Sequence, residues 1–263
     1  MRITTLPTPA TDISSLATAS ALATVDANVD SIKSTVTTNL DVPVSTAGKT
    51  MKCDVLTGSG TWTQPTGVEA AYVVLVGPGG GGAAGTYYNW TGTFYGAEGG
   101  GAGELFMGWI PITGNMAYVV GVGGAGGVKS NTNPSADGSY GTDTEFGSYV
   151  ATSGVGGRGA NSVALNPGAD GGGTITNPFR AIGQSSPAGN STSGTTLQGG
   201  DGAPSPITGG GGGTGSGGNV TPSKPTDPGA GGGAGYSQDN GGSSNVSNGG
   251  DGADGYIAVY YMA

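Results

Sequence analysis

Apolar residues follow two different rhythms along this chain. Between residues 13 and 39 there is neither glycine nor proline, and Leu22, Val25, Val29, Ile32 and Val36 recur at spacings of 3, 4, 3 and 4. That is the a/d repeat of a coiled coil, and β-branched residues at both kinds of position favour three strands over two. Ser15 and Thr18 extend the seam weakly upstream, and Thr11 or Asp12 can cap the start. The spacing therefore predicts a short trimeric coiled-coil helix. The alternative is an amphipathic helix packed on a neighbouring domain, although such a helix usually shows a wider apolar face than this one.

Beyond the Asp41-Val42-Pro43-Val44 stop the rhythm changes to short apolar blocks. Residues 45–53 read as a polar connector. The stretch 61–68 reads as strand, turn and the start of a second strand, and 70–76 (AAYVVLV) as a strand. Residues 104–112 and 116–122 flank Thr113-Gly114-Asn115, the signature of a hairpin. Further strands are predicted at 144–152 and 256–261. Two domains follow: 1–53, comprising an extended arm containing Pro7 and Pro9, the coiled-coil stem and the connector, and 54–263.

What separates the apolar blocks is glycine. The chain holds 59 glycines and 15 prolines in 263 residues, gathered in runs near 77–85, 99–103, 121–127, 154–159, 168–173, 209–218, 229–235 and 249–255. No Gly-X-Y period persists, so collagen is excluded, and the apolar strands between the runs argue against disorder. Glycine loses more entropy on ordering than any other residue, so ordering so many of them requires a repeated interaction. The polyglycine II conformation supplies one, because strands with three residues per turn and no side chains approach closely and pair their backbone groups sideways. The expected fold class is mainly β with a polyglycine II helix bundle, preceded by a short N-terminal trimeric coiled-coil helix.

Charge and inventory narrow the chemistry. Residues 1–53 balance four acids (Asp12, Asp26, Asp30, Asp41) with four bases (Arg2, Lys33, Lys49, Lys52), so the remainder carries the whole net charge of −9. Nucleic-acid binding needs clustered bases, and anionic membranes attract basic segments; neither partner is expected. There is no histidine and Cys53 is the single cysteine, which removes intrachain disulfides, Cys/His metal sites and the Ser-His-Asp triad. No apolar run approaches a membrane span and no signal-peptide core is visible, so the expectation is a soluble, non-catalytic chain made in the cytoplasm, with no cofactor.

Gly58-Ser59-Gly60-Thr61-Trp62-Thr63-Gln64-Pro65-Thr66-Gly67-Val68, the strand to Val76 and the glycines after it, Gly99-Gly100-Gly101-Ala102-Gly103-Glu104, and the closing Gly252-Ala253-Asp254-Gly255-Tyr256-Ile257 together resemble the glycine-rich domain of bacteriophage tail fibres. The likeness covers roughly 55–263. It implies a distal receptor-binding role in the virion, with the N-terminal arm attached to a phage tail or baseplate protein and the particle assembled in the host cytoplasm. The partner on the host would be a surface glycan or an outer-membrane protein. The second possibility is a head or collar decoration fibre with the same architecture and no dedicated receptor. A single arm and helix before the domain depart from long fibres and suit a compact tip or collar.

Within that frame, residues 86–95 carry five aromatics between two glycine runs. Tyr87, Tyr88, Asn89, Trp90, Phe94 and Tyr95 are the candidate receptor-binding residues, and a hairpin whose rings pack on one another is the alternative. Residues 129–140 and 236–248 are expected to support them as neighbouring loops. Three other motifs are weaker. Gly77, Gly79 and Gly82 match a dinucleotide fingerprint but no helix follows them. Residues 249–257 match one calcium-binding nonapeptide, where several successive copies are needed. Glu98, Glu104, Asp143 and Glu145 are the carboxylates a depolymerase would draw on.

Overall fold

Strand β3 (Ala70–Val76) exists because seven consecutive apolar residues leave no polar position for a helix or a turn, and it forms where the sequence predicts it. The computed structural model that contains it describes residues 49–85, 97–129, 136–159, 180–181, 196–197, 199–209, 211–213, 220–239 and 244–263. The chain divides into two units, Met1–Thr50 and Met51–Ala263. The coiled-coil positions Leu22, Val25, Val29, Ile32 and Val36 lie outside the described residues.

Among the described residues the fold is mainly β, and no helix occurs. The strands are β1 (Met51–Leu56), β2 (Ser59–Trp62), β3, β4 (Leu105–Pro111), β5 (Met116–Val119), β6 (Thr144–Phe146), β7 (Tyr149–Ala151), β8 (Arg180–Ala181), β9 (Thr196–Leu197), β10 (Ser237–Asp239), β11 (Ser244–Val246) and β12 (Tyr256–Met262). They form antiparallel sheets in the orders β1-β12-β3-β4-β8, β2-β5-β6-β7 and β11-β10-β9. The first two share one apolar core. Ala71, Val73 and Leu75 of β3, Phe106 and Ile110 of β4, and Ile257, Val259 and Tyr261 of β12 meet Trp62, Phe146 and Ala151 from the smaller sheet. The Trp62 ring lies 5.9 Å from Phe146 and 5.6 Å from Tyr261, and its indole N–H donates to Asp54 Oδ2 at 2.8 Å.

Three expectations are corrected. The hairpin around Thr113-Gly114-Asn115 does not form: β4 pairs with β3 and β8, while β5 pairs with β2 and β6. Residues 112–115 instead carry the chain across the core, fastened by the Ile112 N–H to the Glu69 carbonyl (2.8 Å) and the Gln64 N–H to Asn115 Oδ1 (3.0 Å). Pairing β5 beside β4 would leave the inner face of the larger sheet uncovered, and burying that face outweighs the local turn signal. The stretch 144–152 is two strands rather than one, folded back at Gly147, whose φ of 61° is open to few other residues. Finally, residues 51–53 are not connector. They begin β1, which pairs with β12 from Met51↔Met262 to Leu56↔Ile257.

The glycine runs extend from the strand ends and hydrogen-bond sideways at three-residue intervals. Along 77–85, the N–H groups of Gly77, Gly80 and Ala83 donate to the carbonyls of Glu104, Gly101 and Glu98. Those of Gly79, Gly82 and Gly85 donate to Ala253, Gly250 and Ser247, and those of Gly81 and Ala84 to Ser139 and Ala136. Its carbonyls accept in the same rhythm: Gly79 and Gly82 from Gly124 and Gly127, Pro78 and Gly81 from Gly154 and Gly157, Gly80 and Ala83 from Gly232 and Gly235. Segment 77–85 is thus buried and surrounded by six others. Every N–H of this segment, Pro78 having none, and the carbonyls of residues 78–83 are paired this way, which answers the accounting that buried polar groups demand.

Candidate functional site

The bundle has two unlike ends. At one, Gly77 bonds to Glu104, Glu104 to Thr152, and Gly255 to Gly121, all next to the sheets. At the other, Ala83 and Ala84 bond to Glu98 and Ala136, Gly85 to Ser247, Glu98 to Arg158, and Gly200 to Ala97. This second layer lies away from the β-sandwich, and a small apolar contact of Ala83, Ala97 and Ala234 closes it. The described residues that flank 86–96 (Gly85 and Ala97), and Ala136 after 130–135, belong to this layer. The β10–β11 hairpin, with Ser237↔Val246 to Asp239↔Ser244, stands at the same end. The six candidates Tyr87, Tyr88, Asn89, Trp90, Phe94 and Tyr95 belong to the stretch 86–96 and lie outside the described residues. What the structure defines is where that stretch is anchored: on Gly85 and Ala97, in the end layer.

Polar side chains on the bundle are used to pair backbone. Asn248, Asp251 and Asp254, three residues apart, accept from the N–H groups of Lys129, Gly126 and Gly123 at 2.8, 2.8 and 2.9 Å. Asp254 also takes the Lys224 ammonium at 2.7 Å. Burial pushes its carboxyl up, but the hydrogen bonds from Lys224 and Gly123 and the Lys224 charge outweigh burial and hold it below its ordinary value. A second ladder on the other side of segment 121–127 is made by Ser139 Oγ, Thr142 Oγ1 and Thr144 Oγ1, which accept from Ala125, Val122 and Gly121 at 2.9, 2.8 and 3.1 Å.

These ladders absorb the weaker motifs. Asp251 and Asp254, the acids of the calcium-like nonapeptide, face backbone amides, and among the described residues no group of three or more Cys, His, Asp or Glu could hold a metal. The N–H groups of Gly77, Gly79 and Gly82 are all donated inside the bundle, leaving none for a pyrophosphate. The four carboxylates a depolymerase would draw on have different settings. Buried Glu104 accepts from Thr152 N–H (3.0 Å) and Oγ1 (3.1 Å), buried Glu98 from Arg158 N–H (3.2 Å), and Asp143 from Ser153 N–H (2.9 Å), while Glu145 points outward from β6.

The family model of the glycine-rich domain matches the chain over residues 54–262, the stretch that holds the bundle and the antiparallel sheets. The chain belongs to the glycine-rich domain family. No curated protein matches it. The match runs from β1 to β12 and so takes in both sheets of the core and every described glycine segment.

One surface of this glycine-rich domain has no counterpart in the sequence reasoning. The outer face of the five-stranded sheet carries Tyr72, Trp109, Tyr260 and flanking methionines. Tyr72 stands edge-on to Trp109 at 5.8 Å and lies 6.5 Å from Tyr260. A cavity of about 310 Å³ opens there, lined chiefly by Met51, Tyr72, Val74, Trp109, Tyr260 and Met262. The signal was present: β3, β4 and β12 lack the polar residue at alternate positions that a solvated sheet face shows.

Proposed function

We propose that this glycine-rich domain protein is a bacteriophage tail fibre or tail-tip protein that recognises the host surface. It acts as a homotrimer, anchored by residues 1–53 to a phage tail or baseplate protein, and it binds rather than catalyses. The observation that carries this reading is the two-ended bundle. Segments packed backbone to backbone carry few side chains, and polar ones such as Asn248, Asp251 and Ser139 are taken up in pairing backbone, so we assign recognition to the residues between the anchors at the end away from the sandwich. We read the segments with the three-residue repeat as polyglycine II helices, since that conformation has three residues per turn and open lateral hydrogen bonding.

Rigid anchors at Gly85 and Ala97 hold the ends of the aromatic connection, so its ordering cost on binding is reduced. Aromatic rings there stack on a sugar or on an outer-membrane protein surface, and three copies turn weak single contacts into avid attachment. Replacing Tyr88, Trp90 and Tyr95 together with alanine tests the reading. The variant should keep its far-ultraviolet circular dichroism and lose at least about 100-fold in binding to host cells, the scale that losing multivalent contact implies. Binding equal to that of the unmodified protein would move recognition away from this connection.

A further inference from the structure

The outer face of the five-stranded sheet is apolar in successive cross-strand rows. Cys53, Tyr260, Tyr72 and Trp109 are direct neighbours across β1, β12, β3 and β4, and so are Val55, Ala258, Val74 and Met107. Met51 and Met262 pair at the rim. Met51 is 68% exposed and Trp109 63%, values far above those of an ordinary sheet core. Apolar surface that is contiguous on this scale marks an interaction site. Its lining is hydrocarbon and aromatic ring almost throughout, which suits a protein surface better than a sugar whose hydroxyls need polar partners.

We propose that this face is the contact through which copies of the chain pack around a common axis. The proposal rests on the trimeric reading above and adds the surface that the copies share. The chain preceding the sheet supplies the first argument. Forty-eight residues, with the heptad spacing at 22–36 in their sequence, precede Lys49 and Thr50, which enter β1 at Met51 on the rim of the face. A trimer joined through that segment, as proposed above, tethers three copies by the residues that lead into Met51. Charge supplies the second. With a net charge of −9 the copies repel, and these rows carry no acid, because Lys52 and Asp54 occupy the opposite face of β1. The third argument is the edge. β1 closes the sheet with no further described strand beside it, and natural proteins cover such edges.

Cys53 reports on the face because it is the chain's single thiol and is exposed in one copy. Light scattering on the full chain should give the mass of three copies, and Cys53 should react with maleimide at least about tenfold more slowly than in the guanidinium-unfolded chain. Met107→Glu with Trp109→Glu, and separately Met51→Glu, should restore labelling by a similar factor, whereas Val122→Glu, on an exposed bundle position, should leave it unchanged. A three-copy mass with fast labelling of Cys53 overturns this contact and leaves the trimer standing. A single-copy mass with fast labelling overturns both. A single-copy mass with slow labelling overturns the proposal in favour of cover by residues 1–48. Variants that label no faster than the parent also overturn it.

Discussion

A methyl group at Gly232 would overlap the Gly250 carbonyl oxygen, whereas one at Gly213 would meet nothing within 4 Å. The two glycines look alike in sequence and differ only in how closely a neighbouring backbone approaches. Gly232→Ala should therefore cost about 3 kcal/mol or more, the upper end for overpacking, because the obstructing atoms are backbone and cannot turn aside. Gly213→Ala should shift stability by less than about 0.5 kcal/mol. Chemical denaturation followed by circular dichroism compares them, and equal losses would mean that the runs do not pack as described. The alanines already present, such as Ala83 and Ala234, occupy places where a methyl group fits. Asp254 offers a second residue-level test. Its folded-state value lies below the ordinary 3.8, so its contribution is present above 3.8 and is lost as pH falls through the lowered value. The carboxylate is 52% exposed, so this loss is small, about 0.5 kcal/mol. Asp254→Asn should remove that part of the acid dependence while keeping an acceptor for the Gly123 N–H, and an unchanged acid limb of the stability curve would contradict the assignment.

Elements were legible in the sequence to the extent that a single local rule decided them. β3 and β12 are apolar throughout and appear where expected, and the glycine runs at 77–85, 99–103, 121–127, 154–159, 229–235 and 249–255 fall within the laterally bonded segments. The Thr113-Gly114-Asn115 turn was misread because a turn signature states that the chain changes direction, not which sheet it joins. β1 was missed because Lys52 and Asp54 make Met51–Leu56 look polar, and only its pairing with β12 reveals a strand. The ladder of Asn248, Asp251 and Asp254 was readable in principle, since a three-residue polar repeat within a glycine run has the same period as the lateral hydrogen bonds. At this scale Phe146 is the decisive residue: it is fully buried and joins the smaller sheet to the Trp62 ring and the larger one. Phe146→Ala should destabilise the domain by about 3–5 kcal/mol. A loss under about 1 kcal/mol, measured by the same denaturation, would mean that the two sheets do not depend on a shared core.

Within the unit Met51–Ala263, the described residues divide labour between a sandwich that builds stability and a bundle that extends from it to an end layer holding Gly85, Ala97 and Ala136. The candidate site was legible as a composition, five aromatics between glycine runs, but its setting was not. That Gly85 and Ala97 share an end layer with Ala136, Arg158 and Ser247 follows from hydrogen bonds between residues up to 162 positions apart, which no local pattern encodes. The apolar outer sheet face escaped notice for a related reason, since each strand contributes only two or three of its side chains. The central claim, that this glycine-rich domain stands at the distal tail of a phage to meet the host, is tested most directly by labelling intact virions with a gold-conjugated antibody against the domain and viewing them by electron microscopy. The account predicts gold at the distal end of the tail. Gold on the capsid or collar, with none at the tail tip, would contradict it.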